Sequence, residues 1–504
     1  MKNIFKSLII LSVFIFSACD LTEKPYGFYS ESNFYKTAND AESALRYAYG
    51  AMTYIEYSRS IFFLGDMPTE EMTTKSDAGV DNRNLNEWNV ANFNTNGTLE
   101  HFFQYSYVGI NRANAVIKNV PDGEFDQSYK DQFLGEAHFL RAYNYFSLVR
   151  NFGLVPIHST VVETLEQTNS PLAQDLDEVY DLIISDCETS INYLKNTVYS
   201  TPKIGRVDRV AAEALLAKVY LYIASAKENN VLLYGAMNKN VDDMYSKAAH
   251  YANEVMTKQS TYGFEDNLID LYDVENARGK EKIFIMGMDR SGVEEGEYSK
   301  ISKMFIPYME GAKVYLKQGD ENKYIPTHDG WEEYQTEIDF YNSFAPADKR
   351  KTQLIVDKVY NEDGSLKASW PDNGVKYPFS RKYIDPQFIA DKTSTRPYLI
   401  RYSDIALVYA EAAGPTAESY NLVNYIRNRA GLGNLQPNLN KADFREKIYE
   451  ERKYEMAFEG DRMYDIRRWN RISGIPETAG LSAEQSTFYP IPQAEIDLNN
   501  SINK

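Results

Sequence analysis

Cysteine is scarce in this sequence. Cys19 and Cys187 are the only two in 504 residues, so no disulfide framework of the kind that holds small secreted domains together can form. Histidine is scarce too. The five His (101, 138, 158, 250 and 328) have no partners at metal-ligand spacing. No HExxH, GxSxG, P-loop or EF-hand loop occurs. The segment "GLGNLQ" lacks the third glycine of a dinucleotide fingerprint and follows a helical pattern, which makes it a turn. Positive charge is in deficit: 54 Lys and Arg against 72 Asp and Glu give a net charge of −18, which argues against nucleic acid as a partner. Beyond the N-terminus no apolar run approaches the roughly 20 residues of a membrane-spanning helix. Tryptophan is limited to four residues, while there are 40 Tyr and 25 Phe. Tyrosine combines an apolar ring with a polar tip, suiting both helix packing and wet binding surfaces.

The N-terminus "MKNIFKSLIILSVFIFSACD" carries Lys2 and Lys6 before an apolar run from Leu8 to Phe16. That run is too short to span a bilayer and reads as a secretory signal peptide, residues 1–18. Small Ser17 and Ala18 precede Cys19, an arrangement that resembles the bacterial lipobox, with Phe16 in place of its usual leucine. Cys19 is therefore expected to be the lipidated first residue of the mature chain. Cys187, in "LIISDCETSINYL", is expected to be a buried small hydrophobe.

Most of the rest reads as helix. Thr37 and Asp40 have capping-box spacing, and Ala44, Tyr47, Ala48 and Ala51 follow as a helical stripe. "GEAHFLRAYNYFSLVRNFG" is apolar on two faces, which predicts a helix buried between neighbours and ended by Gly153. Helical segments recur in pairs with Ala and aromatic residues at the contact spacing of tetratricopeptide-type helices. The expected fold is mainly α: an α/α superhelix of such pairs, with loop-rich and short β-hairpin insertions. One insertion covers residues 60–100, with seven Asn between 82 and 96. The other covers 283–400, with a strand at "EKIFIMGM" and a hairpin turning at Asp363-Gly364. Long irregular segments in a compact chain are usually functional.

"ERKYEMAFEGDRMYDIRRW", residues 451–469, is the most charged stretch. Read as helix, Glu451, Glu455 and Glu459 form a self-repelling row that needs cations. Arg452, Lys453, Arg462, Arg467 and Arg468 are the neighbours in sequence. Gly460 should end one helix and Asp461 cap the next. An ion-pair lattice between packed helices is favoured over a catalytic or metal site, because such lattices commonly imitate sites.

The same stretch resembles the C-terminal signature of the SusD/RagB family of surface glycan-binding lipoproteins. "ESNFYKTANDAESALRYAYGAM", "GINRANAVI", "GEAHFLRAYNYFSLVRNFGLVPI", "GRVDRVAAEALLAKVYLYIA", "YLIRYSDIALVYAEAA", "NYIRNRAGL" and "YPIPQAEIDLN" resemble further family segments along nearly the whole chain. The resemblance implies one SusD-like domain over 19–504, with an N-terminal part at about 19–230 and a C-terminal part at about 270–504. It implies a lipid anchor in the outer membrane facing the cell exterior, a SusC-like TonB-dependent transporter as partner, and an oligosaccharide or other nutrient held between the two. No enzymatic activity, cofactor or metal is implied.

The family motifs do not specify the ligand. A sugar presents a C–H face for aromatic rings and hydroxyls for Asn, Asp, Gln and Arg. Trp88 and Trp331 lie in polar loops and are the candidate stacking platforms, with Tyr298, Asn86 and Asn89 as lesser candidates. Trp370 is a weaker one, and Trp469 belongs to the scaffold. A surface glycoside hydrolase, a purely protein-binding array and a peptide-binding relative remain open at this stage.

Overall fold

The computed structural model describes residues 34–502 except 258, 310–312, 319–322 and 372–373. The signal segment and Cys19 lie outside the described residues.

Ten longer or signature helices carry the architecture: α1 (Ala38–Gly50), α2 (Gly97–Asn119), α3 (Gln127–Phe152), α4 (Leu176–Tyr193), α5 (Arg209–Glu228), α6 (Val241–Thr257), α7 (Tyr402–Ala413), α8 (Ala417–Arg429), α9 (Lys441–Glu455) and α10 (Arg462–Arg468). The α1 start is the expected capping box, with Thr37 Oγ1 accepting from Asp40 N–H at 3.2 Å and the Asp40 carboxylate taking Thr37 N–H at 2.9 Å. Antiparallel neighbours pack in sequence order, α2 on α3, α3 on α4 and α5 on α6, and α7 closes the array against α6, α8 and α9. α3 and α5 are buried nearly all round, as the two-faced apolar pattern requires. Gly153, at φ +69°, ends α3 in a conformation open to glycine. Cys187 is fully buried on α4, and burial pushes its thiol well above its ordinary range.

Several charged groups inside this core are paired across elements. Arg141 on α3 grips Asp186 on α4 through two 2.7 Å bonds, and Arg206 does the same to Glu136 at 2.6 Å. Such contacts fix the register of neighbouring helices, because an unpaired buried charge is strongly unfavourable.

Strands are short and confined to the insertions and the seam between the halves. They are β1 (Met72–Thr74), β2 (Lys282–Ile285), β3 (Val314–Lys317), β4 (Tyr324–Thr327), β5 (Tyr334–Thr336), β6 (Ile355–Val356), β7 (Lys358–Tyr360), β8 (Leu366–Ser369), β9 (Phe379–Ser380) and β10 (Tyr398–Arg401). β4-β3-β7-β8 form one antiparallel sheet. Ile306, Val314, Leu316, Val359 and Phe379 give this region a small core of its own. The β7–β8 hairpin turns at Gly364, at φ +81°, as the sequence predicts.

The charged stretch 451–469 is scaffold, but its wiring differs from expectation. α9 stops at Glu455, so Glu459 is not the third step of a helical row. The row is neutralised by distant cations. Arg350 reaches Glu451 at 2.7 Å and Glu455 at 3.2 Å; Arg401 reaches Glu455 at 2.9 Å and Glu459 at 2.7 Å; Arg429 reaches Glu455 at 2.6 Å; Lys382 reaches Glu459 at 2.6 Å. The sequence neighbours point elsewhere: Arg452 to Asp404 and Asp465, Arg468 to Glu411, and Lys453 and Arg462 to Glu70. Asp461 occupies the position before α10, yet its carboxylate serves Lys218 at 2.8 Å instead of capping the helix.

Candidate functional site

The two insertions meet. β1, from the first, pairs antiparallel with β5, from the second, with Thr73 opposite Gln335. Asn82 Nδ2 donates to Glu333 Oε1 at 2.8 Å, Thr74 Oγ1 donates to the Glu333 carbonyl at 3.0 Å, and Lys75 Nζ lies 3.8 Å from the Glu333 carboxylate. The asparagines have mostly structural work. Asn96 caps α2 by accepting from Thr98 and Leu99 N–H. Asn86 donates to Thr73 Oγ1 at 3.1 Å, and Asn89, although exposed, donates to Glu87 at 3.0 Å and Asn84 at 3.3 Å.

Trp88 is not available as a platform. Only 4% of it is exposed. Its indole packs among Phe93 and Tyr489, and Nε1 donates to the Pro68 carbonyl at 3.2 Å. A polar loop sequence concealed an internal anchor: the asparagines bond to one another, to neighbouring side chains and, at Asn96, to backbone groups, while the ring is buried, so loop polarity here does not signal exposure.

Trp331 is placed differently. It is 39% exposed on the neighbouring loop. That loop is clamped to the short helix Ile301–Phe305 and the two residues after it by three backbone bonds: Gly330 N–H to Pro307, Trp331 N–H to Lys303 and Glu332 N–H to Ile306, at 3.0, 2.7 and 3.0 Å. Gly330 is required there, since a Cβ would fall 1.9 Å from the Ile306 carbonyl oxygen. Lys303 Nζ lies 5.4 Å from the Trp331 ring. Glu332 adopts φ +54°, a strained conformation for its type. Its Oε1 is buried without a partner among the described residues, and burial raises its carboxyl, opposed by Lys376 and Lys75. Exposed Asp77 lies beside Lys75. An aromatic ring on a rigid support, next in sequence to Glu332, whose carboxyl feels the charges of Lys75 and Asp77, can stack on a sugar face and exchange hydrogen bonds with hydroxyls.

Tyr298 is half-buried, with Lys392 Nζ 4.6 Å and Lys300 Nζ 5.7 Å from its ring. Lys300, the residue before the helix Ile301–Phe305, attends Tyr298, while Lys303 within it attends Trp331; no contact joins the two rings among the described residues.

Sequence reading missed a groove of about 860 Å³ between the C-terminal end of α1 and the segment 284–297. Tyr47, assigned above to the α1 core stripe, is instead 60% exposed at its edge, with the Arg112 guanidinium 3.5 Å from its ring centre. Tyr54 also lines the groove and pairs with Tyr105 at 4.9 Å. The signal was present in part: Tyr47 and Tyr54 flank the point where the α1 pattern gives way to "GAMTYIEY". Trp370 packs against Tyr341, and Trp469 against Tyr449. No group of three or more His, Cys, Asp or Glu among the described residues is arranged to hold a metal.

A sequence model of the SusD family matches residues 234–504. A second, described as "Starch-binding associating with outer membrane", matches residues 29–221. The chain belongs to the SusD family. This SusD-family chain is 25% identical to SusD-like protein P2 of Formosa agariphila, over 100% of the chain and 99% of the relative. It superposes on a SusD homolog from Bacteroides thetaiotaomicron with a TM-score of 0.75 at 21% identity, covering 94% of this chain and 98% of that one. It also superposes on a laminarin-binding SusD-like protein with a TM-score of 0.72 at 24% identity, covering 92% and 98%. No described helix of this SusD-family protein is long and apolar enough to cross a membrane.

Proposed function

We propose that this protein is a cell-surface glycan-binding lipoprotein that captures an oligosaccharide at the Trp331 face. Lipidation of Cys19 anchors it to the outer membrane, facing outward, and it acts as the lid of a SusC-like TonB-dependent transporter. The observation that carries the reading is Trp331 itself: a large indole left 39% exposed on a loop held by three backbone bonds. A rigid, pre-positioned ring binds without first losing conformational freedom. Tyr298 is a second aromatic candidate, and Glu332, with the charges of Lys75 and Asp77 acting on it, supplies hydroxyl partners beside Trp331. Family membership and the laminarin-binding neighbour support a glycan as ligand. Holding a sugar at this face needs no covalent step, so the reading is a binding protein and not an enzyme.

The test is titration calorimetry of the wild type and Trp331→Ala against a glycan panel that includes laminarin oligosaccharides. Binding lost in Trp331→Ala, with an unchanged melting curve, is the expected result. Wild-type affinity in that variant refutes the site, and binding only to a peptide panel replaces glycan with peptide as the ligand class. Co-purification with a TonB-dependent transporter from outer membranes tests the lid role.

A further inference from the structure

The groove beside α1 carries two braced aromatic rings. The Arg112 guanidinium of α2 lies 3.5 Å from the centre of the Tyr47 ring, and Nη1 also donates to the Tyr47 carbonyl at 2.9 Å. Tyr105, seven residues earlier on α2, pairs with Tyr54 at 4.9 Å, and Tyr54 is seven residues beyond Tyr47. Residues seven apart on a helix share a face. Tyr105 and Arg112 therefore set the two pairs about 10 Å apart along α2, at 1.5 Å per residue. Each groove ring is backed by its α2 partner, and Tyr47 and Tyr54 both line the groove. Its volume of about 860 Å³ lies within the range of about 300–1,000 Å³ typical of small-ligand sites.

The opposite wall is a fixed acidic turn. Gly296, at φ +97°, packs on Thr53 so closely that a Cβ would lie 3.4 Å from the Thr53 carbonyl and hydroxyl oxygens. That contact sets Glu295 and Glu297 beside the residue preceding Tyr54. Glu297 ties the turn by accepting from Val293 and Glu294 N–H at 2.7 and 3.1 Å. Lys392 acts on Glu297 but donates to the Gly292 carbonyl at 2.8 Å. Glu295 shares Lys300 with Asp391, at 3.5 and 3.8 Å, and Glu294 has no cation within 4 Å among the described residues. The arginines of the groove are already engaged: Arg206 with Glu136 at 2.6 Å, Arg46 with Glu42 at 2.9 Å and Arg396 with Asp289 at 3.6 Å. The charge left over is negative, and it shares the groove with two tyrosine rings, whose faces also attract cations.

We propose that this groove binds an amino-sugar chain, a glycan whose hexose units carry free, protonated amines. Tyr47 and Tyr54 take the C–H faces of two rings, and Glu294 and Glu295 take the ammonium groups through charge-assisted hydrogen bonds. Platforms about 10 Å apart suit successive rings of an extended chain, which favours a sugar over a compact amine. The site is separate from the Trp331 face, and its test does not require that face to bind.

The experiment is calorimetric titration of the folded full-length mature chain with a glucosamine hexasaccharide at about pH 6, where glutamate is ionised and an amine protonated. The N-acetylated hexasaccharide, a neutral glucose hexasaccharide and spermidine are the comparison arms. The glucosamine chain should bind the wild type and Trp331→Ala alike, and more weakly as salt rises. Tyr47→Ala, which removes an exposed ring, should weaken binding at least about tenfold. The double change Glu294→Gln and Glu295→Gln, which keeps shape and removes charge, should do the same. No binding to the wild type, or wild-type affinity in both groove variants, overturns the proposal. Loss in Trp331→Ala with the groove variants unaffected overturns it too, by moving the ligand to the other face. Equal binding of the acetylated or neutral chain at the groove overturns the assignment to an amine, and equal binding of spermidine overturns the assignment to a sugar.

Discussion

Removing the carboxylate of Glu455 should be among the most destabilising single changes in this protein. The side chain is 2% exposed and faces Arg350, Arg401 and Arg429 at 3.2, 2.9 and 2.6 Å. Burial alone would push its carboxyl up, yet those three guanidinium groups hold it well below the usual carboxylate range. In Glu455→Ala they remain buried, with Glu281, Glu451, Asp348 and Glu459 as the residual anions. Taking one partner from a buried ionic cluster costs about 3–5 kcal/mol. With an unfolding entropy of about 2.1 cal/mol/K per residue, a chain of this size loses about 1 kcal/mol of stability per degree near its midpoint. The change should therefore lower Tm by about 3–5 °C. Glu450→Ala is the control: its pair with Lys447 at 2.8 Å is about half exposed on both sides, and such pairs contribute roughly 0.2–1 kcal/mol. Because the folded pKa of Glu455 lies below the unfolded value, its stabilisation is complete above about pH 4.3 and fades as pH falls through the folded pKa. The wild type should lose this increment in acid, whereas Glu455→Ala has none to lose. Calorimetric melts of the three proteins between pH 3 and 7, followed by ligand titration at pH 7, make the comparison. A Glu455→Ala protein that melts like the wild type refutes the lattice argument. One that melts normally but no longer binds ligand moves this cluster from scaffold to site.

The two tryptophans should separate cleanly. Trp331→Ala should cost about 2–4 kcal/mol of ligand affinity with little change in melting, while Trp88→Ala should cost about 3–5 kcal/mol of stability through the cavity left beside Phe93 and Tyr489. Asp66, fully buried and accepting N–H bonds from Gly460 and Arg462, is pushed up to about 8 by burial. Its folded pKa lies above the unfolded one, so its contribution is fully present in acid and is lost as pH rises toward 8. Melting curves from pH 5 to 9 should accordingly fall more steeply for the wild type than for Asp66→Asn. Changing Cys19→Ala should release a folded, soluble protein from the outer-membrane fraction; retention in a strain lacking the transporter argues against lipidation.

What the sequence determined by itself was local. The Thr37–Asp40 capping box, the two-faced pattern of α3, its stop at Gly153 and the turn at Gly364 depend on residues a few positions apart, and each was legible. Repeated family segments made the superhelix legible as well. Tertiary structure alone decided which groups share a site or a lattice. Glu455 meets Arg350 and Arg401, 105 and 54 residues away, and passes over the arginines beside it. Trp88 and Trp331 look alike in sequence, each an indole among polar residues, yet one is internal and the other is on the surface. The reason is that an asparagine-rich loop can direct its amides inward, to cap α2 and brace β1, and so close over a ring. Whether it does depends on the pairing of β1 with β5 across some 260 residues, a contact that leaves no periodic signal in the chain.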